Sequence, residues 1–104
     1  IAPIRPPAIV IGSGFGGLAS AVRLQARGYD VTLLEALEQP GGRASVFRDQ
    51  GFTYDAGPTI LTAPFLLDEL FALAGKKTSD YVQIVPCKPF YRIAWHDGQS
   101  FEYT

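Results

Sequence analysis

Methionine is absent from all 104 residues, and cysteine, histidine and tryptophan occur once each. A single cysteine, Cys87, excludes an internal disulfide and fits a reducing compartment. Alone, it is expected to pack as a small apolar residue rather than act as a nucleophile. His96 flanks a turn signal and is expected to be solvated; no metal site is expected. No charge of one sign dominates: nine Lys and Arg stand against ten Asp and Glu, a net charge of −1. That excludes the basic patch of a nucleic-acid binder. No apolar run approaches the ~18 residues of a membrane-spanning helix, and the proline-broken start, IAPIRPP, makes a poor signal peptide. Repeats and low-complexity segments are also lacking. The missing methionine, and an end on SFEYT that reads as mid-strand, lead us to expect a piece of a larger protein.

What is present begins with AIVIGSGFGGLASAVRLQARGYDVTLLE, residues 8 to 35. Ala8 to Ile11 is a short apolar run, as expected of a strand buried on both faces. Gly14 to about Arg27 reads as a helix. Leu18, Val22 and Gln25 lie on one side, with Ala21 and Leu24 beside them. Gly28 sits where helices end in a left-handed residue. Val31 to Leu34 forms a second strand with Glu35 at its end.

Gly12, Gly14 and Gly17 make G-x-G-x-x-G directly between strand and helix, and Glu35 follows Gly12 by 23 residues. Each glycine has a task. Gly12 permits the tight turn, Gly14 lets a pyrophosphate approach the backbone, and Gly17 lets the helix pack close to the strands. The helix start offers free N–H groups and about half a positive charge to phosphates. Glu35 sits where a carboxylate would accept hydrogen bonds from ribose hydroxyls, and it would repel a 2′-phosphate. The ligand is then NAD or FAD rather than NADP. The bland alternative for Glu35 is an exposed strand-end glutamate.

Gly41-Gly42-Arg43 favours FAD. A plain NAD unit needs no second glycine pair so soon after the ribose acid. Gly42 would let the backbone pass close to a ligand, and Arg43 would bring a cation near the pyrophosphate. DAGPT, Asp55 to Thr59, adds a further glycine-proline turn. Repeated close-backbone points suit a long extended ligand.

After the second strand the pattern changes to hairpins. GGRASVFRDQGFTYDAGP suggests two short strands around Asp49-Gln50-Gly51, with Gly51 at the left-handed position of a three-residue loop. A second helix is expected in PFLLDELFALAG. Pro64 suits its first turn and Gly75 its end, and Leu66, Leu67, Leu70, Phe71 and Ala74 make its apolar stripe. Tyr81 to Val85 reads as a strand, and Pro86 and Pro89 bracket a bend. FYRIAW-HDGQ-SFEYT reads as a hairpin turning on Asp97-Gly98. The fold class is therefore α/β, a Rossmann-like FAD-binding βαβ start with parallel strands, followed by antiparallel hairpins. The expected division is a proline-rich lead-in over 1–7, an FAD-binding segment over 8–60, and a helix and strands over 61–104 that begin a substrate-side domain.

Taken together, VIGSGFGGLASAVRLQARGYDVTLLE, PGGR, DQGFTYDAGPTIL and LDELFALAGK…YVQIVPCKPFYRIAW resemble the amino-terminal part of the bacterial-type phytoene desaturases. These are carotenoid-forming flavoproteins related to the amine oxidases. The resemblance covers essentially everything after residue 8. The glycine triplet, acid and Gly-Gly-Arg are shared across the wider superfamily; DQGFTYDAGPT and FYRIAW narrow it to the carotenoid desaturases. It implies non-covalent FAD, hydrogen removal from an apolar polyene such as phytoene, re-oxidation by a quinone or oxygen, and a peripheral position on the cytoplasmic side of a membrane. It carries FAD contacts to Gly12, Gly14, Phe15, Gly16, Gly17, Glu35, Gly42, Arg43, Gly57, Pro58 and Thr59. Ser13 stands where alanine is often found. Asp55 is either a supporting residue of the site or an exposed strand-end acid. No catalytic residue is named, since the substrate tunnel of the resembled family has no counterpart in these residues. Two alternatives remain beside it: a related flavin amine oxidase, and a non-catalytic prenyl-binding protein of the Rab escort or GDP-dissociation inhibitor kind. Intact Glu35, Gly42 and Arg43 argue against the latter.

Overall fold

The apolar run before the glycine triplet extends alongside the run after Gly28, and the helix between them crosses one face of the pair. The structure, a computed structural model, describes residues 3–104. Strand β1 (Pro7–Ile11) lies parallel to β2 (Asp30–Leu34), with Val10 opposite Leu33 and Ile11 opposite Leu34. Helix α1 (Phe15–Ala26) joins them. Gly28 closes the helix at φ +92°, the left-handed conformation that glycine adopts without steric cost.

Alternation decides what α1 covers. Ala8, Val10, Val31 and Leu33 are partly buried, while Ile9, Ile11, Thr32 and Leu34 on the opposite face are exposed. Ile11 is 85% exposed. Within these residues α1 covers one face of the strand pair, and the opposite face is exposed. Pro7 belongs to β1, so the strand begins one residue inside the expected lead-in, whose first two residues lie outside the described residues.

Two hairpins follow: β3 (Val46–Asp49) with β4 (Phe52–Asp55), and β5 (Tyr91–Ala94) with β6 (Ser100–Tyr103). The three strand pairs are separate two-stranded sheets. The α/β class, with a parallel pair and then antiparallel hairpins, is as the sequence predicts. Both loop types differ from expectation. In the first hairpin Asp49 faces Phe52, so the loop is the two residues Gln50 and Gly51, at φ +48° and +83°. This φ pattern fits a two-residue primed turn. The register puts Phe47 opposite Tyr54, their rings stacked with centroids 5.1 Å apart. A three-residue loop would have placed Thr53 opposite Phe47.

In the second hairpin the loop is longer than expected. The Gly98 N–H donates to the Trp95 carbonyl at 3.2 Å and the Trp95 N–H to the Gln99 carbonyl at 2.9 Å. The turn therefore centres on His96 and Asp97, and Gly98 follows at φ +86°. The Asp97 carboxylate accepts the Gln99 N–H at 3.0 Å. This register sets Ile93 against Phe101, Arg92 against Glu102 and Tyr91 against Tyr103. A two-residue Asp97-Gly98 loop would face Ile93 with Glu102. Cross-strand pairing outweighs the dipeptide turn signal.

Helix α2 (Pro64–Leu73) starts on Pro64 as expected, and Gly75 follows it at φ +69°. Leu67, Leu70, Phe71 and Ala74 face Phe15, Leu18 and Val22 of α1 across an apolar hollow of about 420 Å³. Leu66 of the expected stripe points away, 48% exposed. Arg23 and Glu69 pair across the two helices at 3.0 Å; both are solvated, so the pair contributes about 0.5 kcal/mol.

The predicted strand at Tyr81–Val85 is absent. The N–H groups of Tyr81 and Val82 turn back to the Thr78 carbonyl, at 3.0 and 2.8 Å, and residues 82–87 have no regular structure. A strand needs a ladder partner for its backbone groups, and none of the described strands pairs with this segment. Tyr81 instead packs on Phe71, ring centroids 5.3 Å apart. Cys87 is exposed, not packed. Among the described residues no apolar side chain is fully buried, and no helix is long and apolar enough to cross a membrane.

Candidate cofactor site

Three stretches that are remote in sequence converge on the turn between β1 and α1. The first is the turn itself. Gly12, at φ +96°, leaves the strand with its N–H donating to the Leu34 carbonyl at 2.7 Å, which ties the turn to the end of β2. A Cβ on Gly17 would lie 1.8 Å from the Gly12 carbonyl oxygen. Only glycine lets α1 sit this close to the turn, as the sequence reading required.

The start of α1 is electrostatically open. Gly14 is its N-cap, with no side-chain capping bond and no acid in the first turn. The first helical bond runs from Leu18 N–H to the Gly14 carbonyl at 2.9 Å. The N–H groups of Phe15, Gly16 and Gly17 therefore have no intrahelical acceptor. A Cβ on Gly16 would meet nothing within 4 Å, and one on Gly14 only Gly42 Cα at 3.9 Å. Such an end suits an anion.

Glu35 is the second element. Its Oε2 accepts the Ser13 N–H at 2.8 Å and also the Ser13 hydroxyl, while Oε1 accepts the Leu37 N–H at 3.1 Å. These bonds, the Ser13 hydroxyl foremost, lower its pKa from an ordinary 4.5 to about 2. Glu35 is therefore a fixed, ionised carboxylate beside the turn.

The third element is the Gly-Gly-Arg stretch, a short 3-10 turn over Gly42–Ala44. The Gly41 N–H donates to the Ser13 carbonyl at 2.8 Å. Gly42, at φ +57°, would place a Cβ 3.0 Å from Gly14 Cα. A Cβ on Gly57 would lie 1.9 Å from the Arg43 carbonyl oxygen, and Ala56 N–H donates to the Ser45 carbonyl at 2.9 Å. Gly42 and Gly57 are thus required by backbone packing within the chain, whatever else they touch. Arg43 is exposed and forms no ion pair among the described residues.

The structure therefore brings together Gly12, Gly14, Phe15, Gly16, Gly17, Glu35, Gly42, Arg43 and Gly57. Thr59 instead lines a hollow of about 460 Å³ with Ile60, Leu61 and residues 82–87. Pro58 is exposed between the two regions and Asp55 ends β4, exposed. Sequence reasoning missed Ser13. It is the most buried residue described, at 1% exposure, and it touches all three stretches. Its only local signal was a hydroxyl lodged between two glycines of the turn.

Among the described residues, an open helix terminus, glycines that admit close backbone approach, an accepting carboxylate and an unpaired guanidinium form a set of donors and acceptors that fits the phosphates and ribose of a dinucleotide. Comparison with known proteins gives the family. The family described as flavin containing amine oxidoreductase matches residues 15–104, and the chain belongs to it. FAD, the cofactor expected from the sequence, agrees with that membership. Among curated relatives, a phytoene desaturase (lycopene-forming) of Pantoea ananas is 59% identical over 97 residues, covering 93% of this chain and 20% of the relative. Its namesake in Pseudescherichia vulneris is 57% identical over 96 residues, covering 92% and 20%. That of Paracoccus sp. is 52% identical over 102 residues, covering 98% and 20%. The chain thus spans about one fifth of the length of these relatives.

Proposed function

We propose that this chain is the FAD-holding part of a carotenoid desaturase that introduces double bonds into an apolar polyene such as phytoene. The observation that carries the reading is the 52–59% identity to three phytoene desaturases across 92–98% of these residues. The site geometry supports it. The N–H groups at the start of α1, together with Arg43, which follows the Gly42 that packs on Gly14, would bind the pyrophosphate. Glu35, held ionised, would orient the adenosine ribose. The bare glycine backbone at Gly14 would admit the ligand closely. Bound FAD would supply the two-electron oxidation of the polyene. No catalytic residue is assigned. The substrate dissolves in lipid, so the whole enzyme is proposed to sit peripherally on the cytoplasmic side of a membrane and to pass electrons to a quinone or oxygen.

The test is to supply the full-length protein with FAD and with phytoene in lipid vesicles. A more conjugated product, seen as red-shifted absorbance, is expected. A flavin-loaded protein that leaves phytoene unchanged would remove the substrate assignment. The family description also names amine oxidoreductases, which makes amine oxidation the second reading. Hydrogen peroxide formed on addition of amines, without polyene conversion, would favour it.

A further inference from the structure

We propose that Ser13 is a positioning residue for the cofactor: it holds Glu35 in one orientation and keeps it an acceptor for the adenosine ribose. The proposal deepens the FAD reading above and rests on it.

The geometry is specific. Oε2 of Glu35 takes two donors from one residue, the Ser13 N–H at 2.8 Å and the Ser13 hydroxyl. Those bonds occupy both lone pairs of Oε2. Oε1 takes only the Leu37 N–H, at 3.1 Å, so it keeps an acceptor site for a ribose hydroxyl. Ser13 cannot serve the ligand itself, being 1% exposed. It acts through Glu35 alone, while its carbonyl fixes the Gly41 N–H at 2.8 Å. A backbone N–H at this place in the turn is available whatever the side chain. The hydroxyl is the added element, and alanine would delete it without disturbing the backbone bonds. With the hydroxyl present, the carboxylate enters binding already oriented and charged, so less ordering remains to be done when the ligand arrives.

The experiment uses the full-length protein stripped of flavin and titrated with FAD, following flavin fluorescence, from about pH 4 to pH 8. FMN, which lacks the adenosine ribose, is the control probe. Wild type, Ser13→Ala, Glu35→Gln and the double variant are compared. Ser13→Ala is expected to weaken FAD about five- to tenfold at pH 7, with FMN unaffected. Its FAD affinity is also expected to fall further below about pH 5, where wild type stays level. Both effects are expected to vanish on the Glu35→Gln background. Ser13→Cys, which keeps the shape with a weaker donor, gives the same comparison if the alanine variant does not fold. A Ser13→Ala protein with wild-type affinity and pH profile overturns the proposal and leaves the FAD reading standing. An undiminished loss in the double variant also overturns it, since Ser13 would then act through the turn. A wild-type protein that binds no FAD overturns the reading and the proposal together.

Discussion

Ser13 and Glu35, 22 residues apart in sequence, meet through two hydrogen bonds to a single carboxylate oxygen. The contact fastens the end of β2 to the turn that opens α1. It also gives Glu35 a pH signature. Its pKa falls from 4.5 to about 2, so the folded state favours the ionised form. The stabilisation is complete above about pH 4.5 and is lost as pH drops through the folded value near 2. Glu35 is exposed, so solvent screens the effect and its pH dependence, not its size, is diagnostic. The difference in Tm between wild type and Glu35→Gln should be constant from about pH 8 to pH 5 and shrink below that. A difference that widens toward acid would contradict the contact.

Gly17 and Gly14 separate packing from binding. Gly17→Ala would drive a Cβ to 1.8 Å from the Gly12 carbonyl, so α1 must lift off the turn. We predict a loss of about 1–3 kcal/mol of stability, together with loss of flavin. Gly14→Ala meets only ordinary contact at 3.9 Å. Its fold should survive while flavin content drops, because the methyl group occupies the path of the pyrophosphate. Melting curves and flavin-to-protein ratios on both variants check this; a stable Gly14→Ala protein with full flavin would remove Gly14 from the site.

Arg43 should act as a point of charge. It is exposed and forms no ion pair among the described residues, so Arg43→Ala should leave stability within about 0.5 kcal/mol. FAD affinity should fall about tenfold at low salt and by less in molar salt, where screening is short-ranged. Equal affinity for the two proteins at low salt would place Arg43 outside the site.

Gln50 occupies a left-handed position, φ +48°, that favours glycine or asparagine. Gln50→Asn should stabilise the first hairpin by about 0.5–1 kcal/mol without touching flavin content. Hydrogen exchange of the β3 and β4 amides would show it. Faster exchange in the variant would mean that the loop is not the two-residue turn described.

The parts of this fold that local chemistry determines were readable from the sequence, and those that depend on a distant partner were not. Gly17, Gly28 and Gly75 are fixed by their own turns. Pro64 marks the start of α2 by its missing N–H. The two hairpin loops differ from the expected ones because the local signals, Gly51 and Asp97-Gly98, compete with pairings several residues away, Phe47 with Tyr54 and Ile93 with Phe101. Tyr81–Val85 has the composition of a strand but pairs with none of the described strands. Around the turn, glycine spacing and the acid located the site. The role of Ser13 is not legible locally, because its partner is Glu35, 22 residues away. Gly42 and Gly57, expected as ligand contacts, first meet Gly14 and the Arg43 carbonyl, which no spacing argument reveals.

The central claim is a flavin held at this turn. Its most direct test is the absorbance spectrum of the purified full-length protein, before and after acid release. The account predicts flavin bands, with adenine in the extract in a one-to-one ratio. No flavin, even after incubation with excess FAD, would contradict it.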